Sequence, residues 1–133
     1  DKMEDLINRM EEHADEVLHP LNVRYDLQVQ NLDRQQVIPA NVRQDLYFIY
    51  KEAINNVAKH AQASRVDIRM QVDGSSFEMI VHDDGVGFDT EHTTSRRGQG
   101  LSNLRMRAQR LKAHLEMVNG HGTTIRLKMK KFS

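Results

Sequence analysis

Hydrophobic and polar positions along this chain switch between two periods, and the switches predict its elements. Val23, Tyr25, Leu27 and Val29 alternate with Arg24, Asp26, Gln28 and Gln30, which is the period-two pattern of a half-buried strand. The same period returns at Val66, Ile68, Met70 and Val72, at Phe77, Met79 and Val81, over 114–118, and at Ile125, Leu127 and Met129. Helical spacing takes over elsewhere. Met3, Leu6, Met10, Val17 and Leu18 predict a helix over 1–19 that Pro20 stops. Leu46, Ile49, Tyr50, Ala53, Ile54, Val57 and Ala61 form the stripe of a longer helix, opened by Pro39 and running to about residue 61. Leu101, Leu104, Ala108 and Leu111 predict a third, from 101 to about 111. Residues 89–99 hold no large apolar residue and read as an exposed loop. Each predicted strand has one apolar and one polar face. The expected fold is therefore α+β: a two-layer sandwich, a mixed sheet of about five strands covered on one face by about three helices.

Composition narrows the class. A chain of 133 residues makes one domain. The expected division is a first helix over 1–20, which either packs on the domain or continues from an upstream one, and a domain proper over 21–133. With 38% hydrophobic and 29% charged residues the chain is globular rather than disordered. A formal net charge of zero argues against a nucleic-acid-binding domain. The absence of cysteine rules out a disulfide framework, a thiolate metal site and a cysteine nucleophile. No apolar run approaches the roughly 18–20 residues that cross a bilayer. The chain opens on Asp1 without an initiator methionine, so the expectation is an excised fragment in a cytoplasmic setting, compatible with a membrane anchor in the full-length protein.

Four features carry candidate chemistry. Asp83-Asp84-Gly85-Val86-Gly87-Phe88 follows a predicted strand; a carboxylate fixed there can accept from an exocyclic amine, and the glycines let a flat ligand approach. The plain alternative is an acidic turn. Glu52, Asn56 and Lys59 share a helix face by their spacing. They offer a carboxylate to orient or deprotonate an attacking group, an amide oxygen for magnesium and an ammonium for phosphate. The alternative is a solvated face. Gly98-Gln99-Gly100-Leu101 opens the third helix, where free N–H groups favour an anion or the glycines act as a hinge. Gly120-His121-Gly122-Thr123-Thr124 starts the last strand, where a threonine hydroxyl can back up a base-binding carboxylate or the segment is only a hairpin turn. A Rossmann fingerprint fails for want of the third glycine, and no GxxxxGK[ST] loop occurs.

Taken in order, Glu-x-x-x-Asn, DxGxG, GxG-Leu and GxGT resemble the Bergerat-fold ATP-binding domain of the GHKL proteins, over about residues 23–130. Glu52-Ala53-Ile54-Asn55-Asn56-Val57-Ala58-Lys59-His60-Ala61 and Gly100-Leu101-Ser102-Asn103-Leu104-Arg105-Met106-Arg107-Ala108 resemble sensor histidine kinases that pair with LuxR/NarL-type response regulators. The resemblance implies ATP and Mg2+ as cofactors, with Asn56 as the metal ligand and Glu52 as the catalytic carboxylate beside the γ-phosphate. It implies Lys59 and His60 near the phosphates, Asp83 on the adenine amine, and Gly85 and Gly87 shaping the pocket. Residues 89–99 would form a lid hinged at Gly98 and Gly100, next to Leu101, and Thr123 would support Asp83. No stretch like Glu-Leu-His-Asp, the phosphoacceptor context of that subfamily, occurs. The implied activity is transfer of the ATP γ-phosphoryl group to a histidine on a separate dimerisation domain, with residues 1–20 as the linker helix from it and the fragment itself monomeric. An anti-sigma-factor serine kinase of the same fold, or a non-catalytic nucleotide-binding module, is the alternative.

Overall fold

The computed structural model describes residues 2–86 and 95–131. Its elements are α1 (Met3–Leu18), β1 (Arg24–Gln30), α2 (Ala40–Asn56), β2 (Arg65–Asp73), β3 (Ser76–Asp83), α3 (Ser95–Arg110), β4 (His114–Gly120) and β5 (Gly122–Lys130). The five strands form one sheet in the order β1-β2-β3-β5-β4. β1 and β2 run parallel and every other neighbouring pair is antiparallel. A parallel pair needs a crossover, and α2 supplies it. Two tight turns close the hairpins. Asp73 and Ser76 pair across Gly74-Ser75, with Gly74 at φ +61°, and Gly120 pairs with Gly122 across His121.

Side-chain alternation sorts the two faces as the sequence predicts. Val66, Ile68, Met70, Phe77, Met79, Val81, Ile125 and Leu127 are buried in one core with the helices. The other face carries charges, including Arg126, which pairs with Glu78 at 3.4 Å. All three helices contribute to the single core: Leu6, Ile7 and Met10 from α1, Ile49, Tyr50 and Ile54 from α2, and Leu104 and Ala108 from α3.

The first helix packs on the domain. Its start is tied to the connection before α2 by Met3 N–H to the Gln36 carbonyl and Glu4 N–H to the Arg34 carbonyl, both 2.8 Å. Its middle is tied to α2 by the buried Tyr50 hydroxyl, which donates to the Met10 carbonyl at 2.6 Å. Pro20 ends it in a short 3-10 turn, His19–Leu21, closed by Asn22 in the left-handed region.

Two boundaries differ from the sequence reading. The long second helix does reach Ala61, but its last five residues, Val57–Ala61, wind as a π-turn that Gln62 ends at φ +50°. α3 begins at Ser95 rather than at residue 101, so Gly98 and Gly100 lie in its first turns. Polar residues can extend a helix because propagation costs far less than nucleation, and nucleation here is secured by Leu101, Leu104 and Ala108 against the core.

Connection lengths fix which ends meet. Three residues, 62–64, join the end of the π-turn to the start of β2, and three more, 111–113, join α3 to β4. β2 starts opposite the end of β3, Val66 facing Asp83, whereas β4 starts opposite the end of β5, His114 facing Lys128. The C-terminal end of α2, the end of β3 and the start of β5 therefore share one end of the sheet. α3 finishes at the opposite end, so α2 and α3 run in opposite directions.

Candidate functional site

Asp83 is the last member of a row that the β3 alternation drives inward. Phe77, Met79 and Val81 precede it on the same face, and it is only 3% exposed. A carboxylate in that position loses hydration unless donors replace it. Two backbone N–H groups do: Gly85 donates to Oδ1 at 2.8 Å, and Thr123, its register partner on β5, also donates from the backbone. Burial nevertheless wins and pushes the Asp83 carboxyl above its ordinary value, against the downward pull of those two donors and of His82. An ionised carboxylate accepts about four hydrogen bonds, so the two donors met among the described residues leave acceptor capacity over.

Asp84 does something different. Its carboxylate accepts from Ser64 N–H at 2.8 Å, Ser64 Oγ at 2.5 Å and Arg65 N–H at 2.9 Å. Its own N–H donates to the Arg65 carbonyl at 3.2 Å. These donors, the Ser64 hydroxyl foremost, hold the Asp84 carboxyl down to about 2. Of the two adjacent acids, Asp84 fastens the end of β3 to the start of β2, and Asp83 is buried on two backbone donors.

Gly122 braces the same point from β5. It sits at φ +86°, and a Cβ there would lie 1.8 Å from the Asp83 carbonyl oxygen. Only glycine permits that approach. Thr123 supports Asp83 through its backbone N–H; its hydroxyl donates instead to Asn119 Oδ1 at 3.3 Å. The direct support of Asp83 therefore comes from the backbone N–H of its register partner on β5.

Glu52 and Asn56 stand four residues apart within the regular part of α2 and are both partly exposed. That spacing puts them on one face, at the end of α2 that shares the sheet end with Asp83. Lys59 is exposed and falls in the π-turn, so α-helical angles do not carry to it. Glu52 and Asn56 thus keep the shared face expected from the sequence, and Lys59 follows them in the more widely wound π-turn. The side chain of His60 and the whole of Gly87 lie outside the described residues, as do residues 89–94 of the expected lid. Gly85 and Leu101 are half-buried, Leu101 against the core.

The donor set suits magnesium. Asn56 and Glu52 present hard oxygens, and magnesium typically takes one or two protein oxygens, leaving the rest of its shell to waters and substrate phosphates. Among the described residues no three acidic or histidine side chains converge into a cage. Sequence reasoning missed the roles of Asp84 and Gly122. The glycine was visible in its box, but its purpose depends on β5 lying beside β3.

Comparison with known proteins shows the family and the fold. The model of the histidine kinase-, DNA gyrase B-, and HSP90-like ATPases matches residues 41–132. The sensor histidine kinase LiaS of Bacillus subtilis is 28% identical over 115 residues, which are 85% of this chain and 30% of LiaS. The sensor histidine kinase MctS of Rhizobium johnstonii is 34% identical over 98 residues, 71% of this chain and 21% of MctS. The chain thus spans under a third of the length of these relatives. Among solved structures, the histidine kinase domain of the Erythrobacter litoralis EL346 blue-light activated kinase superposes with a TM-score of 0.77 at 22% identity, over 93% of this chain and 60% of that one. The catalytic domain of histidine kinase ThkA does so at 0.75 and 12% identity, over 98% and 94%. The fold, the Asp83 strand end beside the Glu52–Asn56 face, and a family match over most of the chain converge: the chain belongs to the histidine kinase-, DNA gyrase B-, and HSP90-like ATPase family.

Proposed function

We propose that this chain is the ATP-binding catalytic domain of a sensor histidine kinase, passing the ATP γ-phosphoryl group to a histidine on a separate dimerisation domain. A LuxR/NarL-type response regulator is the downstream partner, and the setting is cytoplasmic; among the described residues no helix is long and apolar enough to cross a membrane. The observation that carries this reading is Asp83, a carboxylate buried at a strand end with acceptor capacity left over by the donors it meets among the described residues. Adenine offers the matching donor in its exocyclic amine; guanine offers a carbonyl at that position, which an ionised carboxylate repels.

Roles for the chain's own residues follow. Asp83 receives the adenine amine, while Asp84 and Gly122 keep its backbone fixed. Asn56 would hold magnesium through its amide oxygen, and that ion, when bound, neutralises charge on the phosphates. Lys59 offers an ammonium to them. A neutral imidazole nitrogen of the acceptor attacks the γ-phosphorus, the bond to the β–γ bridging oxygen breaks and ADP leaves. Glu52 orients the ring and takes the proton from its other nitrogen. Positioning and charge stabilisation contribute most to such transfers.

The test pairs binding with transfer to an added acceptor domain. Glu52→Ala is expected to keep nucleotide binding and lose phosphotransfer. Equal loss of both would reduce Glu52 to a structural residue. Retention of both would leave the chain's catalytic carboxylate elsewhere.

A further inference from the structure

Among the described residues one buried acid lies outside the proposed nucleotide site. Asp45 on α2 is 2% exposed. Arg107 of α3 donates from Nη1 to its Oδ1 at 2.9 Å, and Arg110 Nε stands 3.5 Å from Oδ2. The Arg107 guanidinium also lies 4.0 Å over the Phe48 ring, while its Nε is buried without a hydrogen-bond partner among the described residues. A helix pair packed only for stability has no need of a buried carboxylate, since apolar residues of similar volume serve as well or better. What such a group adds is a fixed register between the two helices.

The register matters because of what shares these helices. At 100° per residue Asp45, Glu52 and Asn56 fall within about 40° of one another, on one stripe of α2. α3 runs opposite to α2, with Arg107 on Asp45. Seven residues toward its start lies Gly100, and seven residues along α2 from Asp45 lies Glu52. Each step is about 10 Å, so the Gly98–Leu101 box comes level with the Glu52–Asn56 face.

We propose that Asp45 is a positioning residue: by gripping Arg107 and Arg110 it sets the height of the Gly98–Leu101 box of α3 against the Glu52–Asn56 face of α2, and so completes the phosphate half of the nucleotide site. This rests on the ATP reading above. The base half, built on Asp83, belongs to the sheet and is independent of the grip.

The test is a ratio. Calorimetric titration of the folded chain with Mg-ATP and with adenosine, which carries the base and ribose but no phosphate, separates the two halves. Asp45→Asn keeps the shape and removes the charge. It is expected to weaken Mg-ATP at least tenfold and leave adenosine within twofold of wild type. Equal weakening of both, or no change in either, overturns the positioning role, because a general loosening of the core acts on both ligands alike. Should Asp45→Asn not fold, Arg107→Lys is read the same way. It keeps the positive charge and loses the fork and the flat contact with Phe48, and at least a threefold loss confined to Mg-ATP is expected. If the wild-type chain binds neither ligand, the ATP reading fails and the proposal falls with it; binding of both by wild type with an unchanged ratio in the variants sinks the proposal alone.

Discussion

Two adjacent carboxylates of the same chemistry carry opposite linkage to pH. Asp84 is held to about 2 in the fold by Ser64 and Arg65, against an ordinary 3.8. A depressed carboxyl stabilises the fold fully above its unfolded value and loses that contribution as pH falls toward the folded one. Urea midpoints of wild type and Asp84→Asn should therefore differ most above about pH 5 and converge near pH 2; a constant gap across that range would contradict the Ser64 clamp. Asp83 is shifted the other way by burial, so its charged form costs stability as pH rises through its raised value. The proposed adenine contact needs that charged form. ATP affinity is expected to begin falling, on acidification, at a higher pH than an ordinary carboxylate would give, and the fall should vanish in Asp83→Asn. Gly122→Ala forces a Cβ onto the Asp83 carbonyl at a positive φ. It should cost about 1–3 kcal/mol from the backbone alone and abolish nucleotide binding, whereas Gly120→Ala, with nothing within 4 Å of its Cβ, should do neither. Thermal melts of the two variants decide this.

Among the elements, α1 behaves as part of the core. Tyr50→Phe removes its hydrogen bond to Met10 and should cost about 0.5–1.5 kcal/mol, while Met10→Ala opens the same α1–α2 seam and should cost about 2–5 kcal/mol. Denaturant unfolding measures both, and effects near zero would mean that α1 detaches. The elements were legible because their periods are clean: Phe77, Met79 and Val81 alternate without interruption and carry Asp83 inward with them. Winding within a helix was less so. Nothing in Val57–Ala61 distinguishes a π-turn from a continued α-helix, since the stripe spacing holds nearly as well for either over one turn. The start of α3 was hidden because Ser95, Arg96 and Arg97 have no apolar period, and the helix reaches them by propagation from a core-anchored turn.

For the molecule as a whole, the site is made by topology more than by any one motif. The connections of three residues at 62–64 and 111–113 put α2 and α3 in opposite directions. The order β3-β5-β4 sets Thr123 and Gly122 beside Asp83. Asp83, Glu52 and Asn56 stand out in the sequence because their boxes are local. Asp45 does not, since a lone aspartate in a helix looks solvated until Arg107, 62 positions on, is folded against it. The central claim is that Asp83 reads adenine at this sheet end. Its most direct test is calorimetric titration of wild type and Asp83→Asn with ATP and with GTP, with and without magnesium. The expected result is a wild type that prefers ATP and an Asp83→Asn variant that loses at least about 1.5 kcal/mol of ATP binding, the size of a charged hydrogen bond. A folded wild type that takes up no nucleotide, or binds ATP and GTP alike with Asp83→Asn unchanged, would contradict it.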